Sequence, residues 1–239
     1  MNARLSKLAG LMRAPALWGV TTLGVVPALE HRNAFPGRDY RLVIDAGANK
    51  GQFAAFAAWR WPQAELVCFE PLSGPRKILN SVLSRCAPGR ALVRPVALGE
   101  EAGDFTIHVA TREDSSSMRA LGDRQRTLFS MEEARTETVR VERLDDALGD
   151  VAMHRPALLK IDVQGFEYEL LKGAPRTLDQ IDAVYVEVSY VELYEGQKLA
   201  DDVSALLSQA GFEASFTHVN HYEDGAPVQA DILFERTPS

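Results

Sequence analysis

Residues 41–53 read RLVIDAGANKGQF, an apolar run that meets an acid and then a glycine-rich turn. Leu42, Val43 and Ile44 suit a parallel strand buried on both faces, and residues 52–60 continue with helical character. In the join, Gly47 and Gly51 can take backbone conformations closed to other residues and let a ligand approach the main chain, while Asn49 tolerates a left-handed conformation. The helix start then offers unpaired N–H groups to an anionic ligand group. The stretch therefore reads as a strand feeding a ligand-binding loop.

Glycine turns after strands are common, and it is the next strand that makes this one informative. Residues 65–71, ELVCFEP, are apolar in the middle and deliver Glu70 about 20 residues after the glycines, where nucleotide-binding α/β folds place the acid that binds ribose hydroxyls. An NAD-binding loop would prefer the spacing G-x-G-x-x-G. Here Gly47 and Gly51 enclose Asn49, with Asp45 ahead of them, which favours a nucleoside without a pyrophosphate.

Five motifs follow one another: DAGANKGQF at 45–53, FEP at 69–71, PVALG at 95–99, SSSM at 115–118 and LKIDVQGFE at 159–167. Together they resemble the FkbM-type S-adenosylmethionine-dependent methyltransferases, over residues 42–235, and EVSYVELYE at 187–195 has the look of that family's later part. The resemblance implies S-adenosylmethionine as cofactor, held by Asp45, Gly47, Ala48, Asn49, Gly51, Phe53, Glu70, Pro71, Ala97, Leu98, Ser116 and Asp162. It also implies the doubly wound, mostly parallel seven-stranded sheet of class I methyltransferases, a Rossmann-like α/β fold. To this we add an inserted β-hairpin and an N-terminal helical extension, with the extension at 1–37 and the methyltransferase domain at 38–239.

A chain of 239 residues with 46 % hydrophobic positions can bury one full core, and no linker divides it. The net charge of −7 argues against a nucleic-acid binder, for which a basic face is expected. Cys68 and Cys86 make no disulfide framework and read as small buried hydrophobes of a reducing compartment. Residues 1–18 carry Arg4, Lys7 and Arg13 without an acid, and Leu5, Leu8, Leu11 and Met12 recur near helical spacing. This short basic amphipathic helix is broken by Pro15, so it is no secretory signal, and no apolar run is long enough to span a membrane. A cytoplasmic chain is expected. The helix should dock on the domain or cover the cleft in preference to touching a membrane surface.

Farther along, residues 75–86 space Ile78, Leu79, Val82 and Leu83 to cover one face of a sheet, and residues 91–98 read as a third strand ending beside the adenine. Residues 105–109 and 136–142 alternate apolar with polar positions, as strands of an exposed inserted hairpin joined through a polar loop containing Ser116, Ser117, Arg124 and Arg126. In residues 157–163, ALLKIDV, the two ionisable groups Lys160 and Asp162 point to one face by the period of a strand. They either compensate each other or Glu187, or they face the ligand crevice with Glu187, because carboxyl ends of strands in open α/β sheets line it. Helices at 165–172 and 200–210 and a strand at 183–188 follow. The last two strands, 212–219 and 229–235, are joined by the loop 220–225, with one of the pair antiparallel.

These readings converge on an O-methyltransferase acting on a hydroxyl of a sugar, glycan or related natural product, the class of methyl acceptor resting on the resemblance alone. Asp162 is the first candidate for base or clamp, Glu187 the second, and Lys160 holds the carboxylates in place. Ser117, Gln164, Glu167, Tyr190, Tyr194 and His221 are the candidate contacts of the methyl acceptor, with His221 a distant third candidate for base. No zinc pattern exists, although Asp162 and Glu187 could hold a magnesium ion with acceptor hydroxyls. Two alternatives stay open: an NAD-dependent oxidoreductase, which would lack its third loop glycine here, and a non-catalytic nucleoside-binding protein. The oligomeric state is not legible.

Overall fold

Strand β1, Leu42–Ala46, is buried at every residue, as its unbroken apolar run requires of a strand covered on both faces. The computed structural model describes residue 11, residues 14–111 and residues 116–237. The basic helix read over residues 1–18 therefore lies largely outside the described residues, as do Asp114 and Ser115. From β1 the chain passes through α2 (Gln52–Arg60), β2 (Glu65–Phe69), α3 (Ser73–Cys86) and β3 (Ala91–Arg94), after the short N-terminal α1 (Trp18–Thr21). An insert follows, with β4 (Ala97–Leu98), β5 (Gly103–Ala110), α4 (Asp123–Phe129) and β6 (Glu133–Glu142). The second half holds α5 (Leu144–Ala147), β7 (Ala157–Ile161), α6 (Glu167–Lys172), α7 (Pro175–Leu178), β8 (Ala183–Ser189), α8 (Ala200–Gln209), β9 (Phe212–Glu223) and β10 (Ala226–Arg236).

The main sheet has seven strands in the order β3-β2-β1-β7-β8-β10-β9. The pairs from β3 to β8 are parallel, while β10 runs antiparallel to both β8 and β9, which gives the antiparallel member expected at the end of the chain. Side chains divide by the period of two. Leu42, Ile44, Leu159, Ile161, Val184 and Val186 pack on the face covered by α6, α7 and α8, which contribute Leu170, Leu178 and Leu207. Val43, Cys68, Leu158, Tyr185 and Leu233 face α2 and α3, where residues 14–35 complete the layer through Ala14, Leu17, Val20, Leu29 and Phe35. Asp45 and Lys160 belong by parity to this second face and are direct cross-strand partners.

Three sequence expectations need correction. The single strand read over 91–98 is broken at Pro95, which has no N–H for the ladder. β3 stays in the main sheet, while β4 joins β6 in a second sheet of order β4-β6-β5. The connection inside the inserted hairpin is no plain polar loop. It contains α4, and Leu121 and Met131 beside it are buried with Leu193, Tyr194 and Val228. The loop read over 220–225 shrinks to a turn at Asp224 and Gly225, both at positive φ (50° and 82°), the Asp-Gly signal of a two-residue hairpin. That shift places His221 on β9.

Candidate active site

A cavity of about 820 Å³ opens at the carboxyl ends of β1, β2, β7 and β8, the position an open α/β sheet reserves for ligands. The loop after β1 forms its floor. Gly47 sits at φ 78°, and a Cβ there would lie 1.9 Å from the carbonyl oxygen of Asp162, so the two loops pack backbone to backbone and only glycine fits. Asn49, at φ 46°, is in the left-handed region, and its backbone N–H donates to Glu70 Oε2 at 2.9 Å. The other Glu70 oxygen accepts from the Leu72 N–H at 2.8 Å, which fixes the carboxyl at the cavity wall. Asn49 Oδ1 is buried and has no hydrogen-bond partner among the described residues. A glycine-walled floor, a clamped acid and an unpaired amide oxygen fit a nucleoside, which offers hydroxyl and amino donors.

Most of the candidates for the cofactor meet here. Gly47, Ala48, Asn49, Phe53, Glu70, Pro71, Ala97, Leu98 and Ser116 all line the cavity, as do Ser117, Lys160, Asp162, Gln164 and Glu187. Asp45 and Gly51 do not. Asp45 is 1 % exposed beneath the floor, with Oδ1 3.4 Å from Lys160 Nζ. Gly51, at φ 91°, is where α2 approaches α3: a Cβ would come 2.9 Å from Leu79. Glu167 is buried behind the β7 loop, taking hydrogen bonds from the N–H groups of Val163 (3.3 Å) and Gly165 (3.0 Å). Tyr190 packs, partly buried, against the core, and His221 lies against Phe129 with ring centroids 4.7 Å apart; neither lines the cavity. Tyr194 is also outside it but acts through Gln164: its hydroxyl donates to Gln164 Oε1 at 2.6 Å and accepts from Gln125 Nε2 at 3.1 Å.

The charges concentrate at the β7–β8 end. Lys160 Nζ lies 3.4 Å from both Asp45 and Asp162. Burial works against its ammonium, yet Asp162 and Asp45 outweigh that and hold its pKa above the ordinary lysine value. Gln164, at φ 55°, donates from Nε2 to Asp162 Oδ1 (2.6 Å) and Glu187 Oε2 (3.1 Å), tying the two carboxyls together. Asn220 and Gln229 donate to Glu187 as well, each at 3.2 Å. Ser117 Oγ donates to the Gln164 carbonyl at 2.5 Å and so pins this loop to the insert.

Residues absent from the sequence reading complete the wall: His31, Gln125, Tyr185, His218, Asn220, Gln229 and Asp231. Glu187, Asp231 and His218 form one row across β8, β10 and β9. The signal for Asp231 was present, since it is a lone acid in the otherwise apolar run 230–234, the same pattern that marks Asp162. Among the described residues no group of three or more His, Cys, Asp or Glu side chains is set to hold a metal ion, and no helix is long and apolar enough to cross a membrane.

Burial pushes the carboxyls of Glu70, Glu167 and Asp231 each up to about 7, and that of Glu187 well above the usual range. A carboxyl raised on folding binds more protons in the folded state, so its contribution favours folding at acid pH and is lost as pH rises through the folded pKa. His31, lowered to about 4 mainly by burial, works the opposite way below its ordinary value, but it is one group against four. The ligand-free protein should therefore lose about 2 kcal/mol or more between about pH 5.5 and 8. Denaturant midpoints across that range test this, and a midpoint that climbs with pH would contradict the burial of these acids.

A family model described as "Methyltransferase FkbM domain" matches residues 45–214. The chain is 31 % identical over 207 residues to the AMB antimetabolite synthetase AmbE of Pseudomonas aeruginosa, a match covering 73 % of this chain but only 10 % of AmbE. It is 28 % identical over 203 residues to the 2-O-methyltransferase NoeI of Sinorhizobium fredii, covering 82 % of this chain and 79 % of NoeI. It is also 28 % identical over 181 residues to the hexuronic acid methyltransferase AglP of Haloferax volcanii, covering 75 % and 66 %. Among solved structures, one from Listeria monocytogenes, described as an S-adenosylmethionine dependent methyltransferase, shares the fold with a TM-score of 0.50 at 8 % identity, covering 87 % of this chain and 97 % of that one.

Proposed function

This chain belongs to the FkbM methyltransferase domain family, and on that premise we propose that it methylates a hydroxyl group of a sugar, glycan or related natural product. Its methyl donor is S-adenosylmethionine, which when bound supplies an electrophilic methyl group on a sulfonium. The residues that would hold the donor are those of the floor and its rim: Gly47, Ala48 and Asn49, the acid Glu70, and Leu98 at the end of β4. Glu70 is already oriented by two backbone N–H groups, so its free lone pairs can take hydroxyl donors without reorganisation.

The observation that carries the hydroxyl reading is Asp162. It stands at the end of β7 on the cavity wall, its side chain 35 % exposed there, with one oxygen against Lys160 and the other under Gln164. A carboxylate so held can accept the hydrogen bond of a hydroxyl, align its oxygen, and take its proton as the new oxygen–carbon bond forms. Lys160, itself fixed by Asp45, keeps that carboxylate in place. The name of NoeI, a 2-O-methyltransferase, and that of AglP, which acts on a hexuronic acid, support an oxygen of a sugar as the site.

The test is the chemical nature of the product. With methyl-labelled donor and a panel of glycosides, the label should be found in a methyl ether, which survives mild alkali. Label released as methanol by alkali would identify a carboxyl acceptor instead, and label retained on nitrogen an amine.

A further inference from the structure

Three polar side chains of the cavity wall take no part in the steps above. His31, on the 3₁₀ turn Leu29–Ala34, has Nδ1 2.8 Å from the Tyr185 hydroxyl and 3.7 Å from Asp231 Oδ2. Tyr185 is in turn hydrogen-bonded to Asp231. Edge-on packing against Phe53 and Phe56 fixes the plane of the imidazole, and its side chain remains 20 % exposed on the cavity wall.

This relay decides which ring nitrogen carries the hydrogen. Tyr185 has a single hydroxyl proton, and burial holds it on the oxygen by raising its pKa. An ionised Asp231 can only accept, so it takes the Tyr185 hydrogen bond. The Tyr185 oxygen is left to accept from His31, which places the ring hydrogen on Nδ1 and a lone pair on Nε2. Among the described residues no hydrogen bond engages Nε2. Burial, with Lys160 and His218 acting the same way and Glu30 and Asp162 opposing, keeps the ring neutral.

The charges around it have one predominant sign. Asp162, and above about pH 7 Asp231, bring negative charge to this end, while burial pushes the Glu187 carboxyl toward its neutral form and Lys160 is already committed to Asp45 and Asp162. Ligand carboxylates would meet like charge here, whereas hydroxyl or ammonium donors would meet acceptors. His31 and Asp231 both lie outside the residues matched by the family model, which suits an element of specificity rather than the shared chemistry.

We propose that His31 is a binding residue for the methyl acceptor, its Nε2 taking a hydrogen bond from a hydroxyl or ammonium group of an uncharged or amino sugar, on a wall that discriminates against a uronate. The inference rests on the sugar reading above and names the class of sugar.

The experiment uses full-length protein with ¹⁵N-labelled histidine, saturated with S-adenosylhomocysteine, and three probes: methyl glucoside, methyl glucosaminide and methyl glucuronide. At about pH 8, above the Asp231 carboxyl that burial raises to about 7, the His31 resonances should show the Nδ1–H tautomer. On acidification Asp231 gains a proton and donates to Tyr185, Tyr185 donates to Nδ1, and the ring hydrogen should move to Nε2. Glucoside and glucosaminide should shift the Nε2 resonance and bind about tenfold or more tighter than glucuronide. His31→Phe, which keeps the ring packing, should weaken those two by about tenfold and leave the affinity for S-adenosylhomocysteine unchanged.

An Nε2–H tautomer at about pH 8 overturns the inference in the unaltered protein, whether or not the variant folds. Glucuronide bound as well as glucoside also overturns it, as does binding of none of the three, and so does glucoside binding that leaves Nε2 unshifted. Loss of S-adenosylhomocysteine affinity in His31→Phe would assign the residue to the donor instead. Failure of S-adenosylhomocysteine to bind the unaltered protein would strike the methyltransferase reading itself.

Discussion

Asp162→Asn should lower methyl transfer by about 100-fold or more while the protein keeps its affinity for S-adenosylhomocysteine and nearly all of its stability. The amide retains the size of the side chain and can still meet Lys160 through its oxygen, but it can neither take a proton nor bring a negative charge to a hydroxyl. Stability should survive because Lys160 is not left alone: Asp45 lies at the same 3.4 Å from Nζ as Asp162 does. The side chain of Asp162 is also partly exposed, so its contribution to folding is screened by solvent. Turnover and denaturant midpoint measured on one preparation separate the roles. A folded variant that turns over at the original rate would remove Asp162 from the chemistry and move the assignment to Glu187.

Lys160→Met should behave in the opposite way, with its main loss in stability. Lys160 is 8 % exposed and Asp45 1 % exposed, and the carboxyl oxygens of Asp45 make no well-aligned hydrogen bond among the described residues, so the ammonium is its principal compensation. Removing it strands a buried carboxylate, a change worth on the order of 3 to 5 kcal/mol. Burial already raises the Asp45 pKa against the pull of Lys160, so the variant should recover part of the loss at acid pH, where the carboxyl is neutral. Adding Asp45→Asn should restore most of it, because the double change removes both charges together. A midpoint unchanged in Lys160→Met, or a double variant no better than the single one, would mean that this pair does not support the sheet.

Helix α4 illustrates how a site can draw on a segment whose sequence looks bland. Residues 123–129 are mostly polar, and nothing in their spacing distinguishes a helix from a solvated connection. Yet Gln125 is 4 % exposed at the cavity wall and supports Tyr194, which supports Gln164, which joins Asp162 to Glu187. What makes the helix form is the apolar cluster of Leu121 and Met131 with Leu193, Tyr194 and Val228, residues far apart in the chain.

The local patterns of the chain were sufficient for the glycine-floored half of the cavity. An apolar run, glycines at the turn and an acid after the next strand determine β1, its loop and Glu70, because parallel strands joined by a helix are adjacent and their carboxyl ends must lie side by side. Period-two alternation likewise placed Lys160 and Asp162 on one face. It could not tell which neighbour each would meet. Asp45 reads as a ligand of the cofactor until the register pairs it with Lys160, and parity then turns it beneath the floor. The other half was decided only in three dimensions. Because β10 inserts between β8 and β9, Glu187, Asp231 and His218 become a single row, and residues 29–34 fold across α2 to bring His31 to Tyr185. Those contacts join residues that no local period links, and strand order, which the burial of the whole sheet selects, is what brings them within a hydrogen bond of one another.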